Sequence, residues 1–285
     1  MKIALIANAG SGGSTDPDEV AAALTAQGAR VQVFAIDECD RAKVRESGAE
    51  RIVVCGGDGS IGFAAEIAAA LDVPLAVIPA GTANDFARTQ DIPLDDIPRA
   101  CVLAACGTQL KRLDLGRLSN GSPFVNGANT GLSSHAARDA AVLKSALGPV
   151  AYGVGAARAA VKADPLRCKV TIDGREVFSD RTWQVLIAVT GGFGGGSGLF
   201  SADPQDGLLD VAVVPAGSRF GLARRAWGMR RGNLADQQDV IHSRGREILL
   251  ELPPGTELNV DGEVIEAGRP ERAVIEPGAF ALVVG

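Results

Sequence analysis

The residues best suited to chemistry lie in three glycine-bearing segments that follow apolar runs: Asn8 to Gly13, Gly56 to Ser60, and Pro79 to Arg88. Consecutive backbone N–H groups before a helix attract phosphate, because the unpaired donors and the helix dipole both face the anion. One such loop alone is as often a simple tight turn. Three of them, each directly after a predicted strand, favour a phosphate-binding site.

The commonest phosphate-binding motifs are absent from the sequence. None of the six lysines follows a glycine, so the Walker A loop is missing. The dinucleotide-binding fingerprint also fails, because Thr15 stands where its third glycine belongs. Neither His135 nor His242 lies in the His-Arg-Asp sequence of protein kinases. Phosphate binding here must therefore use a different loop arrangement.

Strands and helices alternate in the part of the chain that carries these loops. A mainly parallel sheet is expected, with its ligands at the carboxyl ends of the strands, where all the glycine segments fall. Helices are predicted from about Asp16, with Pro17 in the first turn, and over Ile61 to Leu71. The predicted strands are Ile3 to Ala7, Val31 to Ile36, Ile52 to Cys55 and Leu75 to Ile78.

The remaining sequence changes character and predicts a mostly antiparallel β domain after a helical region over 136–162. Glycine and proline turns separate its apolar runs. The predicted strands are Lys169 to Ile172, Trp183 to Val189, Leu208 to Val214, Ile248 to Leu252, Leu258 to Val260, Ala273 to Ile275 and Ala281 to Val284.

Composition excludes several classes of protein. A length of 285 residues suggests two compact domains. Only 4% of residues are aromatic and the net charge is −6, which argues against nucleic-acid binding. The five cysteines form no Cys-x-x-Cys pair, so neither a disulfide framework nor a zinc site is expected. Without a signal peptide or a membrane-spanning run, the chain is expected to be cytoplasmic.

Two of the glycine segments together resemble the diacylglycerol kinase catalytic family. The first is Gly56-Gly57-Asp58-Gly59-Ser60, and the second combines Pro79, Gly81-Thr82 and Asn84-Asp85-Phe86-Ala87. The similarity continues in family order through Leu113 to Gly116, Phe124 to Asn126, Asp206 to Asp210 and Val260 to Glu263. Bacterial soluble lipid kinases, sphingosine kinases and ceramide kinases belong to this family. NAD kinases and phosphofructokinases are distant relatives.

The resemblance implies both fold and nucleotide contacts. It implies an NAD-kinase/phosphofructokinase-like α/β domain with a parallel sheet at 1–123, followed by a β-rich, sandwich-like domain at 124–285. ATP would be the cofactor, and the residues implied to hold it are Asn8, Gly10, Ser11, Gly12, Gly57, Asp58, Gly59, Ser60, Thr82 and Asn84. Ala9 and Ser60 replace the proline and threonine usual in the family. The serine keeps the hydroxyl, whereas Ala9 loosens the first loop.

The catalytic residues implied by the resemblance are Glu263, Asp261 and Asp58. Phosphoryl transfer requires a carboxylate to accept the hydroxyl proton, and Glu263 is the first choice, with Asp261 in the same network. A carboxylate beside phosphate needs a metal ion or a proton between them, which favours a functional Asp58. The alternatives are that Asp58 caps the helix from Ile61 and that Asp261 merely forms a hairpin turn.

A Mg²⁺ site is implied at Asp206, with main-chain carbonyls of Asp203 and Leu208. Oxygen ligands suit this hard cation, but a plain Asp-Gly turn is an equal alternative. Asp114 is a further candidate for the network of water and Mg²⁺ at the active site.

The resemblance implies a lipid acceptor, and with it a cytoplasmic enzyme at the inner face of the membrane. A helix over 218–233 carries arginines with Phe220 and Trp227, which suits either an anionic bilayer or core packing with the arginines at its edge. Diacylglycerol is the first choice, and ceramide or a sphingoid base is the alternative. A soluble acceptor, as in NAD kinase, or a non-catalytic nucleotide-binding regulator would be other outcomes. Whether the chain forms a homodimer is left open.

Overall fold

The computed structural model describes residues 1–8, 15–94, 96–131, 164–193, 197–198, 202–218 and 240–285. Several predictions from the sequence lie outside these residues. They concern the phosphate contacts of Gly10, Ser11 and Gly12, the helical region 136–162, and all but the first residue of the 218–233 helix.

The first part of the chain has the predicted alternation of strands and helices. Its strands lie in the order β4-β3-β1-β2, and every pair among them is parallel. The elements are β1 (Lys2–Ala7), α1 (Pro17–Ala26), β2 (Arg30–Ala35), a 3₁₀ turn (Ile36–Glu38), α2 (Arg41–Ser47), β3 (Arg51–Gly56), α3 (Asp58–Leu71), β4 (Leu75–Pro79), α4 (Asp85–Thr89) and α5 (Ile97–Cys106).

Both faces of this parallel sheet are buried, which explains its uninterrupted apolar strands. On β1, Ala4 and Ile6 pack in the core on the α3 side of the sheet. Ile3 and Leu5 belong to a second core, which contains Leu24 of α1. The sheet is therefore held between helical layers, and its strand ends are free to support loops.

Helix α3 corrects one prediction from the sequence. It was expected to begin at Ile61, but it begins at Asp58, so Asp58, Gly59 and Ser60 form its first turn. The glycines at 56 and 57 make the sharp reversal from β3, and the helix follows at once. The N–H groups at the start of α3 therefore lie in the very segment that was predicted to bind phosphate.

The second part is β-rich, as predicted, and its strand pairs are antiparallel. Its core includes Val185 and Ile187 packed with Val211 and Ile248. The strands are β5 (Gln109–Leu118), β6 (Pro123–Phe124), β7 (Gly127–Gly131), β8 (Leu166–Ile172), β9 (Arg175–Ala188), β10 (Gly192–Phe193), β11 (Ser197–Gly198), β12 (Leu209–Pro215), β13 (Ile241–Gly245), β14 (Glu247–Glu251), β15 (Glu257–Val260), β16 (Glu263–Glu266) and β17 (Glu271–Val284).

Strand β17 joins the two parts. Two separate strands were predicted here, but the structure has one strand with an irregularity between Glu276 and Phe280. Its first half pairs with β14, whereas Leu282 near its end pairs with Leu75 of β4. Phe280 and Leu282 lie in the core beside α3. The boundary at residue 123 stays a prediction, and β17 is shared across it.

Across the part of the chain that the structure describes, no helix combines the length and the apolar character needed to cross a bilayer.

Candidate active site

The loops after β1 and β3 meet through side chains at the carboxyl edge of the parallel sheet. The backbone N–H of Asn8 donates to the carbonyl of Cys55 at 3.0 Å. Its side-chain Nδ2 donates to Oγ of Ser60 at 2.9 Å. Two residues that the sequence assigned to nucleotide binding are therefore in direct contact.

The loops after β3 and β4 touch through their backbones. A Cβ atom added at Gly81 would lie only 2.5 Å from Cα of Gly57, so neither loop could carry a side chain at this contact without moving. Asn84 closes the second loop, since its Oδ1 accepts from the N–H of Gly81 at 2.9 Å and its Nδ2 donates to the Gly81 carbonyl at 3.0 Å. Thr82 lies exposed between them.

Asp58 uses its carboxylate to cap a neighbouring helix. Oδ1 accepts from the backbone N–H of Phe86 at 2.9 Å, and Oδ2 accepts from that of Asp85 at 3.2 Å. These donors belong to the first turn of α4, where N–H groups lack partners within the helix. The cap considered from the sequence was on α3 itself, and the structure places it on α4 instead. Burial raises the pKa of Asp58, and the nearby Asp85 carboxylate acts in the same direction.

Asp261 lies in the two-residue turn between β15 and β16. Both turn residues have positive φ, 47° at Asp261 and 96° at Gly262, as a tight two-residue hairpin turn requires. The Asp261 carboxylate accepts three backbone N–H groups, from Val125 at 2.7 Å, Asn126 at 3.0 Å and Gly127 at 2.8 Å. Asp261 thus forms a hairpin turn, which was one alternative from the sequence, and its carboxylate also anchors the β6–β7 connection.

Burial, together with the nearby Asp58 carboxylate, raises the pKa of Asp261 to about 7 against the opposing effect of the N–H donors. Asp58 and Asp261 are therefore electrostatically coupled. The two carboxylates come from different parts of the chain, one from α3 in the first part and one from the β-rich second part.

Glu263 begins β16 and is exposed, with its side chain over Gly59. A Cβ at Gly59 would lie 2.8 Å from Oε1 of Glu263. Within the described part of the chain no hydrogen bond or ion pair engages its carboxylate. Beside it is a cavity of 140 Å³ between α3 and the hairpin, lined in part by Phe63, Pro123 and Ile265. Glu263 is therefore a carboxylate with both oxygens available at the edge of the glycine loops.

Asn126 joins the two coupled carboxylates and was not among the predicted site residues. Its Nδ2 donates to Oδ1 of Asp58 at 2.9 Å, while its backbone N–H binds Asp261. Its Oδ1 accepts from the hydroxyl of Thr190 at 2.8 Å. The signal was present in the Phe124-Val125-Asn126 motif, but a sequence cannot show that this amide faces Asp58.

The predicted Mg²⁺ loop lies elsewhere, at the β12 end of the second domain. Oδ1 of Asp206 accepts from the N–H of Leu208 at 2.9 Å, and the Asp203 carbonyl accepts from the N–H of Asp206 at 3.2 Å. Nη1 of Arg244 lies 3.5 Å from Oδ2 of Asp206. Carboxylate and carbonyl oxygens accept more than one partner, so the donor types suit Mg²⁺. The described residues contain no cluster of three or more acidic, His or Cys ligands.

Asp114 holds this loop in place. One of its oxygens accepts from the N–H of Gly207 at 2.8 Å and the other from that of Gly278 at 2.7 Å. Its side chain is buried, and its two hydrogen bonds join the turn at Gly207 to the irregularity at Gly278. His242 lies 2.6 Å from the buried Asp210 through Nε2.

Comparison with known proteins agrees with this arrangement. Residues 2–118 match the diacylglycerol kinase catalytic domain, and residues 126–284 match the YegS C-terminal NAD kinase beta sandwich-like domain. A diacylglycerol kinase of Bacillus subtilis (strain 168) is 30% identical over 216 residues, covering 74% of this chain and 70% of that protein. The probable lipid kinase YegS-like of Pseudomonas aeruginosa PAO1 is also 30% identical, covering 93% of this chain and 89% of its own length.

Solved structures confirm the predicted fold class. The crystal structure of a diacylglycerol kinase from Bacillus anthracis str. Sterne superposes with a TM-score of 0.70 at 22% identity, covering 100% of this chain and 97% of that one. The α/β part with a parallel sheet and the β-rich second part are thus arranged as in that protein. With both halves matched in order, the chain belongs to the diacylglycerol kinase family and combines the catalytic domain with a YegS-type C-terminal domain.

Proposed function

We propose that this chain is an ATP-dependent lipid kinase that transfers the γ-phosphoryl group of ATP to a lipid hydroxyl, such as that of diacylglycerol. The observation that carries the proposal is that Asp58 and Asp261 both accept from Asn126, with Glu263 over Gly59, beside the loops after β3 and β4. Membership of the family, and the lipid-kinase names of its relatives, support the same chemistry.

The nucleotide lies, on this proposal, along the start of α3. Glycine at 57 and 59 lets the loop after β4 and Glu263 approach the start of α3 closely, and the unpaired N–H groups of that first turn suit phosphate oxygens. Asn8 and Ser60 would form one wall and Thr82 and Asn84 the other, and Gly10, Ser11 and Gly12 are further proposed nucleotide contacts. Mg²⁺ that accompanies ATP supplies neutralisation of the phosphate charge, as phosphoryl transfer requires. Asp206, with the carbonyls of Asp203 and Leu208, is a proposed second Mg²⁺ site that holds the β12 loop.

Glu263 is the proposed proton acceptor. The oxygens of Asp58 and Asp261 already accept backbone N–H groups, whereas those of Glu263 are available. The acceptor hydroxyl would lose its proton to Glu263 as its oxygen forms a bond to the γ-phosphorus. The bond from that phosphorus to the bridging oxygen breaks, and ADP leaves. Asp58 and Asp261 hold the geometry of the two parts between which the reaction occurs.

The cavity beside Glu263 supports an acceptor with apolar surroundings. Phe63 and Ile265 form apolar walls within reach of the catalytic carboxylate. A lipid hydroxyl flanked by hydrocarbon matches such walls better than a dinucleotide ribose does. Access to a lipid further implies that the enzyme works in the cytoplasm at the inner surface of the membrane.

The experiment is a phosphate-transfer assay with radiolabelled ATP and Mg²⁺ on vesicles that contain diacylglycerol, ceramide, sphingosine or monoacylglycerol, and on free NAD. Wild type is compared with Glu263→Gln and with Glu266→Gln as a matched control. Glu266 lies on the same strand, is exposed, and pairs only with Arg269 at 3.1 Å among the residues described.

We expect Glu263→Gln to lower kcat by about 10² to 10⁴-fold, the usual contribution of general acid–base catalysis, while Glu266→Gln stays near wild type. Labelling of ceramide or sphingosine instead of diacylglycerol would change the proposed substrate but keep the lipid kinase function. Labelling of NAD alone would contradict the lipid acceptor. ATP binding without transfer to any acceptor would contradict catalysis.

A further inference from the structure

We propose that Asn126 is a positioning residue for phosphoryl transfer, which holds the Asp58 carboxylate of α3 in register with the Asp261 hairpin. The inference rests on the proposed kinase function and adds a residue to it. Asn126 is only 6% exposed, so its polar atoms must find partners inside the protein.

The side-chain amide has one orientation available. Nδ2 donates to Oδ1 of Asp58 at 2.9 Å, and Oδ1 accepts from the Thr190 hydroxyl at 2.8 Å. A flipped amide would set an oxygen against the Asp58 carboxylate, which has no hydrogen to donate when ionised. Thr190 is itself 2% exposed, so its hydroxyl is held in place. Asn126 therefore presents a donor, and only a donor, to Asp58.

The main chain of Asn126 fixes it to the second domain. Its N–H donates to Asp261 at 3.0 Å, and its carbonyl accepts from the N–H of Val189 at 2.8 Å. These bonds do not depend on the side chain. A substitution at 126 can therefore remove the contact to Asp58 while it leaves the backbone of the β6–β7 connection in place.

Asp58 receives three donors in the described structure, and they come from two parts of the molecule. Phe86 and Asp85 donate from the backbone of α4, and Asn126 is the side-chain donor. Without Asn126, Oδ1 keeps Phe86 and Oδ2 keeps Asp85, so the carboxylate is held by α4 alone and loses its one donor from the second part of the chain. The amide thus ties the Asp58 carboxylate, and with it the start of α3, to the second part of the chain.

The decisive experiment is a double-mutant cycle on kcat with Asn126→Ala, Asp58→Asn and the two combined. A lost hydrogen bond to a charged group predicts a fall in kcat of about 10- to 100-fold for Asn126→Ala. KM for ATP should change by less than about threefold, because Asn126 orients a group and does not bind the nucleotide. The combined variant should be no slower than Asp58→Asn alone, because Asn126 acts through Asp58.

Two further variants separate positioning from a merely structural role. Asn126→Asp sets a carboxylate against Asp58 and should be slower than Asn126→Ala. The exchange variant Asp58→Asn with Asn126→Asp restores the hydrogen bond in reverse but sets the new amide N–H₂ against the Phe86 N–H, so it should regain only part of the melting temperature lost by Asn126→Asp and none of the kcat. Asn129→Ala, a buried amide on β7, is the control and should stay within about threefold of wild-type kcat.

Wild-type turnover reports the proposed function by itself, and the ratios among variants report the role of Asn126. Independent, multiplying losses in the cycle would overturn the inference, as would wild-type kcat in a folded Asn126→Ala protein. Recovery of kcat in the exchange variant would also overturn it, because the bond alone would then matter. If wild type transfers no phosphate, the kinase function fails, and this inference fails with it.

Discussion

Two groups of carboxylates in this protein come from similar short motifs but differ in what their oxygens contact. The cleft carboxylates are Asp58, Asp261 and Glu263, and the loop carboxylates are Asp114, Asp206 and Asp210. In the cleft, Glu263 is exposed and Asp58 is partly exposed. In the loop group, Asp114 and Asp210 are 2% and 1% exposed, whereas Asp206 is exposed.

The partners separate Glu263 from the other carboxylates, because Asp58 and Asp261 accept backbone N–H groups as Asp114 does. Each oxygen of Asp114 accepts one backbone N–H, from Gly207 or Gly278, and neither is open to a ligand. Asp210 is enclosed by His242 and by Arg244, whose Nε lies 3.0 Å away. Glu263 instead has no such partner among the described residues. An Asp-Gly or Gly-Glu motif therefore does not identify chemistry by itself; the availability of the oxygens at a cleft does.

The largest loss of activity is expected when the loops that support the cleft are separated, without a change to any carboxylate. In Gly81→Ala the new Cβ would lie 2.5 Å from Cα of Gly57, so the loops after β3 and β4 must move apart. A displacement on the order of 1 Å at a catalytic site costs about 10²-fold in rate, and we expect a fall in kcat/KM of this size.

Ala83→Gly in the same loop adds no atoms and serves as the control, with kcat/KM expected within about threefold of wild type. Phosphate transfer and thermal melting should both be measured. Full activity in Gly81→Ala would mean that the loop contact does not set the cleft geometry.

The loop carboxylates should respond in stability and not in chemistry. In Asp114→Asn one amide N–H₂ would face a backbone N–H, so a buried bond is lost and a donor is left unpaired. The expected loss is about 2 kcal/mol in the free energy of unfolding, measured by urea denaturation. The kcat of the folded variant should be close to that of wild type.

Asp173→Asn is the matched control, because that aspartate also accepts backbone N–H groups, from Arg246 and Glu247, but is exposed. Its loss should be below about 1 kcal/mol. A folded Asp114→Asn protein with kcat reduced a hundredfold would contradict this prediction and show that Asp114 acts in the reaction, as proposed for the cleft carboxylates.

The smallest expected effect concerns the coupling between Asp58 and Asp261. Burial raises the pKa of Asp261 to about 7, above the value of about 3.9 for an unfolded aspartate. Its contribution to folding stability is therefore fully present below pH 4 and is lost as the pH rises through 7. In Asp58→Asn the like charge is gone, so the pKa of Asp261 should fall by a fraction of a unit.

Carbon-detected NMR of the Asp261 carboxyl, titrated from pH 3 to 9, measures this pKa directly. A midpoint at or below about 4 in wild type would show that the three backbone donors outweigh burial. An unchanged midpoint in Asp58→Asn would show that the two cleft carboxylates are not coupled.

Local sequence patterns predicted much of this fold because they reflect local physics. The apolar runs at Ile3 to Ala7 and Ile52 to Cys55 form strands, since both faces of a parallel sheet are buried. Pro277 and Gly278 misled the prediction at β17, because Pro-Gly commonly ends a strand. Here Gly278 adopts φ 55° within an irregularity of one strand, and its N–H binds Asp114.

The candidate site was predictable only in its residue types. Asn8 and Ser60 were assigned to the same site, and they are hydrogen-bonded, although their roles stay predictions. The cap of Asp58 on α4 and the amide of Asn126 could not be predicted, because the residues that meet are 28 and 68 positions apart. Such contacts depend on how the two parts of the chain pack, which no local pattern encodes.

Strand β17 gives the molecule a particular order of assembly. Phe280 and Leu282 fill the core next to α3, yet they are made long after the residues around them. During synthesis the edge of β4 that pairs with β17 stays unpaired until the second domain has been translated. We therefore expect the first domain to gain protease resistance only when residues 280–284 have emerged from the ribosome, and the two parts to unfold together.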